Sequence, residues 1–201
     1  MARKKIPENF EEVKQRIITA SIEMIVSYGF SRFTLAGVAE RIGLTKAAIY
    51  WYFSSKDELI QEITKTVRHS YIDYAREIAD CSLGPYEKLK QILCNSEGKA
   101  GITLCILPIK IFLEYFSEDD QINQQIQQSY IEFIDIVATV LAEGIGAGVF
   151  RSDWNAQELA KFIVGALDGV ALQTFMMATE NSDFSNLIVI KFMESVLKKI
   201  E

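Results

Sequence analysis

With one histidine (His69) and three cysteines in 201 residues, the chain is poor in soft metal ligands. Cys81, Cys94 and Cys105 make no CxxC pair and no Cys/His spacing, so reduced thiols are expected rather than a zinc site. A nucleophile–histidine–acid set has one candidate base, on an amphipathic stretch, and no glycine-rich loop opens a helix in phosphate-cradling form. Carboxylate-only catalysis in an all-α enzyme is the remote alternative that remains; the chain reads as a non-enzyme without metal or cofactor. Three prolines and 11 glycines are too few for a collagen-like or turn-dense all-β chain. No apolar run reaches the roughly 18–20 residues that span a bilayer, so no membrane partner is expected. The opening MARKKIPENF is basic but lacks the apolar stretch of a secretory signal, which points to a cytoplasmic protein.

Charge of one sign is scarce in one part only. Residues 1–60 carry nine Lys/Arg against seven Asp/Glu, whereas the remainder carries 12 against 20, within a total of −6. A mildly basic head on an acidic body suits two modules with different partners. Nearly every segment repeats at helical period. Val13, Ile17, Ala20, Met24 and Tyr28 predict a first helix over about 8–28, stopped by Gly29. Thr34 caps a second, Thr45 a short third, and Ser55-Lys56-Asp57-Glu58 is a capping box for a fourth that runs to about 79 as a strut. Further helices are predicted over about 86–95, 102–116 (kinked at Pro108), 119–143, 156–179 and 184–200, with Gly144, Gly146 and Gly148 in a loop. The expected fold is all-α with about nine helices: a helix-turn-helix head over 1–55 and a ligand-binding and dimerisation body over 56–201.

Residues 34–59 hold the densest chemistry. Ile49 and Phe53 turn inward on the third helix, leaving Ala47 and Trp51 outward, Ala48 and Tyr50 beside them, and Lys46 and Tyr52 at the margins. In a helix-turn-helix the start of the second helix meets base edges in the major groove. Thr45 and Lys46 donate hydrogen bonds there, and Ala47 and Ala48 allow close approach and contact with thymine methyls. Tyr50 and Tyr52 present hydroxyls at the rim where phosphates lie, while Thr34 and Lys56 sit at helix starts suited to phosphate. Of the three consecutive aromatics, one is expected to pack within the head.

These residues resemble the DNA-binding head of the TetR family of bacterial transcriptional repressors. The resemblance rests on Ala20, Tyr28-Gly29-Phe30, Thr34-Leu35, Val38-Ala39, the run Gly43–Phe53 and Ser55–Leu59, about a quarter of the chain. Phe150–Asp153 and Leu167-Asp168-Gly169 are weaker matches in the body. The resemblance implies phosphate contacts at Tyr50, Tyr52, Thr34 and Lys56, with Lys46, Ala47 and Trp51 facing the groove. One departure is Ala36-Gly37, where the family often has polar or basic residues; this shifts DNA contacts toward Arg3-Lys4-Lys5, Arg32 and the third helix.

Ten of the 17 residues from Phe184 to Ile200 are apolar, more than one buried stripe requires. The excess predicts a two-fold partner, with Leu187, Ile188, Phe192 and Val196 in the interface and Gly165 and Gly169 admitting a close helix. The resemblance implies a homodimer on palindromic operator DNA and a small-molecule effector cavity surrounded by Tyr71, Tyr74, Ile78, Ile109, Phe112, Phe116, Tyr130, Phe133 and Phe162. The expectation is a repressor released by a small, largely apolar effector; a co-repressor-type regulator or activator, whose ligand strengthens DNA binding, has the same sequence signature.

Overall fold

The computed structural model describes residues 10–94, 106–113, 121–151 and 153–177, together with 191, 194, 195 and 197. Among them the chain is all-α. Helix α1 (Phe10–Tyr28), α2 (Leu35–Arg41) and α3 (Lys46–Ile49) form the head. Helix α4 (Lys56–Arg68) continues through a π-helical turn (His69–Asp73) into α5 (Tyr74–Asp80). Then come α6 (Pro85–Cys94), α7 (106–113), α8 (Gln121–Gly146) and α9 (Ala156–Met177).

Local chemistry sets the head's boundaries. Gly29 and Gly43 take φ of 73° and 74°, the left-handed conformation that ends a helix at little cost to glycine. After α2, the Leu44 N–H donates to Ala39 O at 2.8 Å and the Gly43 N–H to Glu40 O at 3.2 Å, the paired bonds of a Schellman stop. The N–H groups of Gly37, Ala48 and Glu58 donate to Thr34, Thr45 and Ser55 hydroxyls at 3.0, 3.1 and 3.0 Å. The predicted capping box is only half reciprocal: the Glu58 carboxylate accepts from the N–H and hydroxyl of Ser54, at 2.7 and 2.6 Å, rather than from Ser55. Those bonds hold its pKa below the ordinary carboxylate value.

Two cores meet along the α4–α5 strut. The first joins Ile17, Phe33, Val38, Ile49 and Phe53 of the head to Ile60, Ile63 and Val67 of α4, and to Leu107, Ile111, Ile122 and Ile126 of α7 and α8. The second gathers Ala75, Leu89, Val137, Leu141, Phe150, Ile163 and Val164. Lys14 bridges α1 to Glu62 of α4 at 3.0 Å, and the buried Lys88 ties α6 to Glu143 of α8 at 2.9 Å.

Four expectations change. The third helix ends at Ile49 instead of continuing to Phe53, with Tyr50–Tyr52 forming a turn. The strut is not one α-helix. Its buried positions pass from Ile60, Ile63 and Val67 to Ile72 and Ala75, one residue later than a 3.6 period gives, because the π turn inserts one residue into the ladder. Gly144 and Gly146 lie inside α8, and only Gly148 (φ 72°) turns the chain. Finally, α9 is long and apolar enough, by length and composition, to cross a membrane. Here its Leu159, Ala160, Ile163 and Val164 are buried in the second core instead. The predicted helix over 184–200 falls almost wholly outside the described residues, as do Leu187, Ile188, Phe192, Val196, Phe116, Cys105 and Arg3-Lys4-Lys5; Leu197 is buried, and its carbonyl accepts from the Arg151 N–H at 3.0 Å.

Gly144 meets a close approach. The N–H groups of Val149 and Phe150 both donate to its carbonyl, at 2.9 and 3.0 Å, which folds the fully buried Phe150 ring back onto it. A Cβ at residue 144 would stand 2.1 Å from that ring. Gly144→Ala is therefore expected to cost about 3 kcal/mol, the upper end for overpacking. Thermal unfolding should show a loss of roughly 6–12 °C, at 2–4 °C per kcal/mol for a chain of this size.

Candidate nucleic-acid interface

Ile49 and Phe53, both essentially inaccessible, fix the rotation of α3 and its following turn. That rotation carries Trp51 outward to 85% exposure and Tyr50 to 48%, with Lys46 and Ala47 exposed and Ala48 half-buried between them. Thr34 and Thr45 are both exposed, and each uses its oxygen as a cap acceptor. The hydroxyl proton of each remains available to an outside acceptor. Small residues, one lysine and two aromatics thus share one open surface, and among the described residues nothing in the head covers it.

The other two nominated residues are partly committed. Tyr52 is half-buried and stacked on Phe10 of α1, with ring centroids 4.8 Å apart; it is the aromatic of the three that packs. Lys56 turns back over Phe33 (5.2 Å) and Phe30 (5.8 Å) and donates to the Phe30 carbonyl at 3.4 Å. Partial burial lowers its ammonium pKa, against the pull of Asp57. Arg32 is exposed. Gly37 shows why small residues follow the α2 cap: a Cβ there would sit 3.2 Å from both Met24 of α1 and the Thr34 hydroxyl.

In the body, Thr64, Val67, Arg68, Tyr71, Pro108, Ile111, Ile126 and Ser129 line a cavity of about 10 Å³ between α4, α7 and α8. That is room for about one water. Of the nominated cavity residues that are described, only Tyr71 lines it, with Phe133 edge-on to its ring at 5.6 Å. Burial raises the Tyr71 hydroxyl to about 12, opposed by its bond with Ser129. Ile78 packs on the second core, and Tyr74 and Ile109 are half-buried. Phe112 and Phe162 are exposed by 39% and 57%. Arg68 pairs with Glu132 at 2.6 Å, and Arg76 contacts both Glu132 and Asp73, so Glu132 clasps the strut on either side of the π turn. Pairing reached from the sequence did not include this clasp, because the extra residue of the π turn sets which side chains face α8.

Asp168 of α9 accepts from the Tyr130 hydroxyl at 2.5 Å. Burial raises its pKa, and the Tyr130 bond only partly offsets this. A carboxylate whose folded pKa is raised binds its proton more tightly folded than unfolded. Its penalty is complete above the raised pKa and vanishes below the ordinary 3.8. Asp168→Asn should therefore melt at a higher temperature than the parent at pH 7.5, and the difference should shrink as pH falls.

Away from the buried Leu159, Ala160 and Ile163 of α9, Phe162, Gly165, Gly169, Leu172 and Met176 form an exposed stripe at helical spacing. A Cβ added at Gly165 or Gly169 meets nothing within 4 Å.

Comparisons with known proteins agree over most of the chain. A family model for bacterial regulatory proteins of the tetR family matches residues 17–63. One for the C-terminal region of YsiA-like proteins matches residues 67–196. The HTH-type transcriptional regulator TtgR of Pseudomonas putida is 27% identical over 169 residues, covering 81% of this chain and 80% of that one. The fatty acid metabolism regulator protein of Bacillus subtilis is 23% identical over 169 residues, covering 84% and 86%. A transcriptional regulator structure from Agrobacterium tumefaciens shares the fold at a TM-score of 0.78, with 18% identity over 94% of this chain and 100% of that one.

Proposed function

Since the chain belongs to the tetR family of bacterial regulatory proteins and is a DNA-binding regulator rather than an enzyme, we propose that it is a cytoplasmic homodimeric repressor released from a palindromic operator by a small, largely apolar effector. The observation that carries the DNA half is the open surface of α3, where Lys46, Ala47 and the 85%-exposed Trp51 stand on a buried Ile49–Phe53 base. Thr45, Lys46, Ala47, Ala48 and Trp51 meet base edges in the major groove. Tyr50, Thr34, Tyr52 and Lys56 take phosphates. Lys56 leaves a long bond to a neutral carbonyl for a shorter one to an anion, which is the stronger partner.

Residues 1–55 act as the reading head and 56–201 as the sensing and dimerising body. The exposed α9 stripe meets its two-fold copy, with Gly165 and Gly169 letting the helices approach. The release step follows from the packing around the cavity. Pro108 forms part of its wall, and two residues on, the Lys110 ammonium lies 3.5 Å from Ile25 O in the last turn of α1 and 4.8 Å above the Phe175 ring of α9. An effector larger than one water must push α7 away from α4. That displacement carries Lys110 and the strut with it and changes the spacing of the two heads. The test is a titration of operator DNA with the full chain, with and without effector: weaker binding in its presence supports a released repressor, and stronger binding assigns the co-repressor role instead.

A further inference from the structure

From α1 onward the head carries no excess positive charge. Residues 10–60 hold six Lys/Arg against six Asp/Glu, so the whole surplus belongs to residues 1–9, with Arg3, Lys4 and Lys5 against Glu8. Four of those six later cations are also engaged within the protein. Lys14 bridges to Glu62 at 3.0 Å, and Arg41 to Glu23 at 2.9 Å. Arg16 donates to the Ile42 carbonyl at 3.1 Å, and Lys56 turns over Phe33 and Phe30. That leaves Arg32 and Lys46 as the exposed cations outside these contacts. The start of α2 adds no donor, because even a Cβ at Gly37 would stand 3.2 Å from Met24 and the Thr34 hydroxyl. Yet affinity for duplex DNA comes largely from cations that displace its counterions.

The packing of α1 shows where the missing charge is attached. Phe10, the first residue of α1, stacks on Tyr52 with ring centroids 4.8 Å apart. Tyr52 lies in the turn after α3, next to the exposed Tyr50 and Trp51. The start of α1 is therefore held against the rim of the reading surface rather than on the far side of the head. Lys5 stands five positions before Phe10 and Arg3 seven, within at most about 18 and 25 Å of chain. The minor groove of a duplex is about 6 Å wide, with a phosphate about every 3.4 Å along each strand. From that rim the three cations reach phosphates on both sides of the adjoining minor groove. Glu11 and Glu12, exposed in the first turn of α1, are the rival partners within the chain. They already face the positive end of their own helix, and two carboxylates are a sparser target than a line of phosphates.

We propose that Arg3, Lys4 and Lys5 form a second DNA-binding element, which holds the phosphates flanking each half-site while α3 and its turn read the base edges. This rests on the reading of the head as DNA-binding and assigns the source of its electrostatic affinity. Phosphate contacts carry no sequence information, so the element strengthens binding to every duplex alike. The nearly neutral helices supply register, and the basic segment supplies affinity.

Fluorescence anisotropy of the full-length protein on a labelled mixed-sequence duplex of about 30 base pairs tests it, since such binding depends on phosphate contacts alone. Arg3→Ala with Lys4→Ala and Lys5→Ala should flatten the slope of log K against log salt by about 5, at about 0.9 per phosphate for the six cations of a dimer. Affinity at about 50 mM salt should fall at least a hundredfold. The same three cations appended after Glu201 of that variant return its net charge but stand on the body, and they should not restore the slope. Restoration there overturns the proposal, because net charge alone would then act. A slope flattened by less than half the expected amount overturns it too, as does a variant that binds more tightly, which would assign the segment to the protein's own carboxylates. In each of these cases the reading of DNA by α3 stands. A parent protein that binds no duplex at about 20 mM salt, where phosphate contacts are strongest, overturns both.

Discussion

The double substitution Lys46→Ala with Tyr50→Ala is expected to abolish operator binding at concentrations that saturate the parent protein. Both side chains are exposed and leave the Ile49–Phe53 base intact, so the fold should not change. A lysine contact and a tyrosine hydrogen bond are each worth about 1 kcal/mol, and each recurs in the second head of a dimer. The loss is then about 4 kcal/mol, roughly a thousandfold in affinity. The salt dependence carries a separate signature. Removing one lysine–phosphate or lysine–base contact per head should flatten the slope of log K against log salt by about 2 in the dimer. An unchanged slope with unchanged affinity, measured by fluorescence anisotropy on promoter DNA, would show that this helix does not read DNA.

Opening the dimer should produce an effect of similar size by a different route. Gly165→Glu with Leu172→Glu places two carboxylates, seven residues apart, on the exposed stripe of α9. Residue 165 has open space for a side chain and Leu172 is 42% exposed, so an isolated subunit accommodates both. Replacing a mid-helix glycine even favours the helix by about 0.5–1 kcal/mol. In a two-fold interface the same carboxylates face their own copies across a water-poor surface, where like charges repel strongly. Sedimentation should find the 22.8 kDa chain alone rather than twice that mass. Operator affinity should fall by about 10²–10⁴, because the second head no longer binds at the high effective concentration that tethering supplies. Retention of the doubled mass would move the interface away from α9.

The head was largely legible because its signals are local. Thr34, Thr45 and Ser55 cap their helices through hydroxyls acting on residues three positions away, and Gly29 and Gly43 terminate theirs through one dihedral angle. Such choices are written in neighbouring residues. What escaped depends on distant ones. Tyr50–Tyr52 leave the helix where the ladder gives way to a turn, and Tyr52 meets Phe10 across more than 40 positions of sequence. The π turn at His69–Asp73 has no sequence signature of its own, yet it shifts every later buried position of the strut and sets the Arg68–Glu132–Arg76 clasp. Gly144 resembled a loop residue beside Gly146 and Gly148; only the return of Phe150 onto it reveals why glycine stands there inside a helix. The aromatic residues nominated for the cavity share helical spacing but not one destination. Tyr71 faces the cavity, Phe133 packs on it, and Phe162 lies on the outer stripe of α9. Periodicity identifies a face without identifying its partner.

The acidity of the chain bears on the central claim. With a head of only slight positive charge, affinity must come from two heads acting together and from a few well-placed donors, rather than from a broad field. Selection of bound fragments from genomic DNA with the purified full-length protein, followed by footprinting, tests this most directly. The expected result is an enriched inverted repeat, its half-sites separated by one helical turn of about 34 Å or a multiple of it, and protected by two subunits together. Enrichment no better than for random sequence, or protection of a single unrepeated site by one chain, would contradict it.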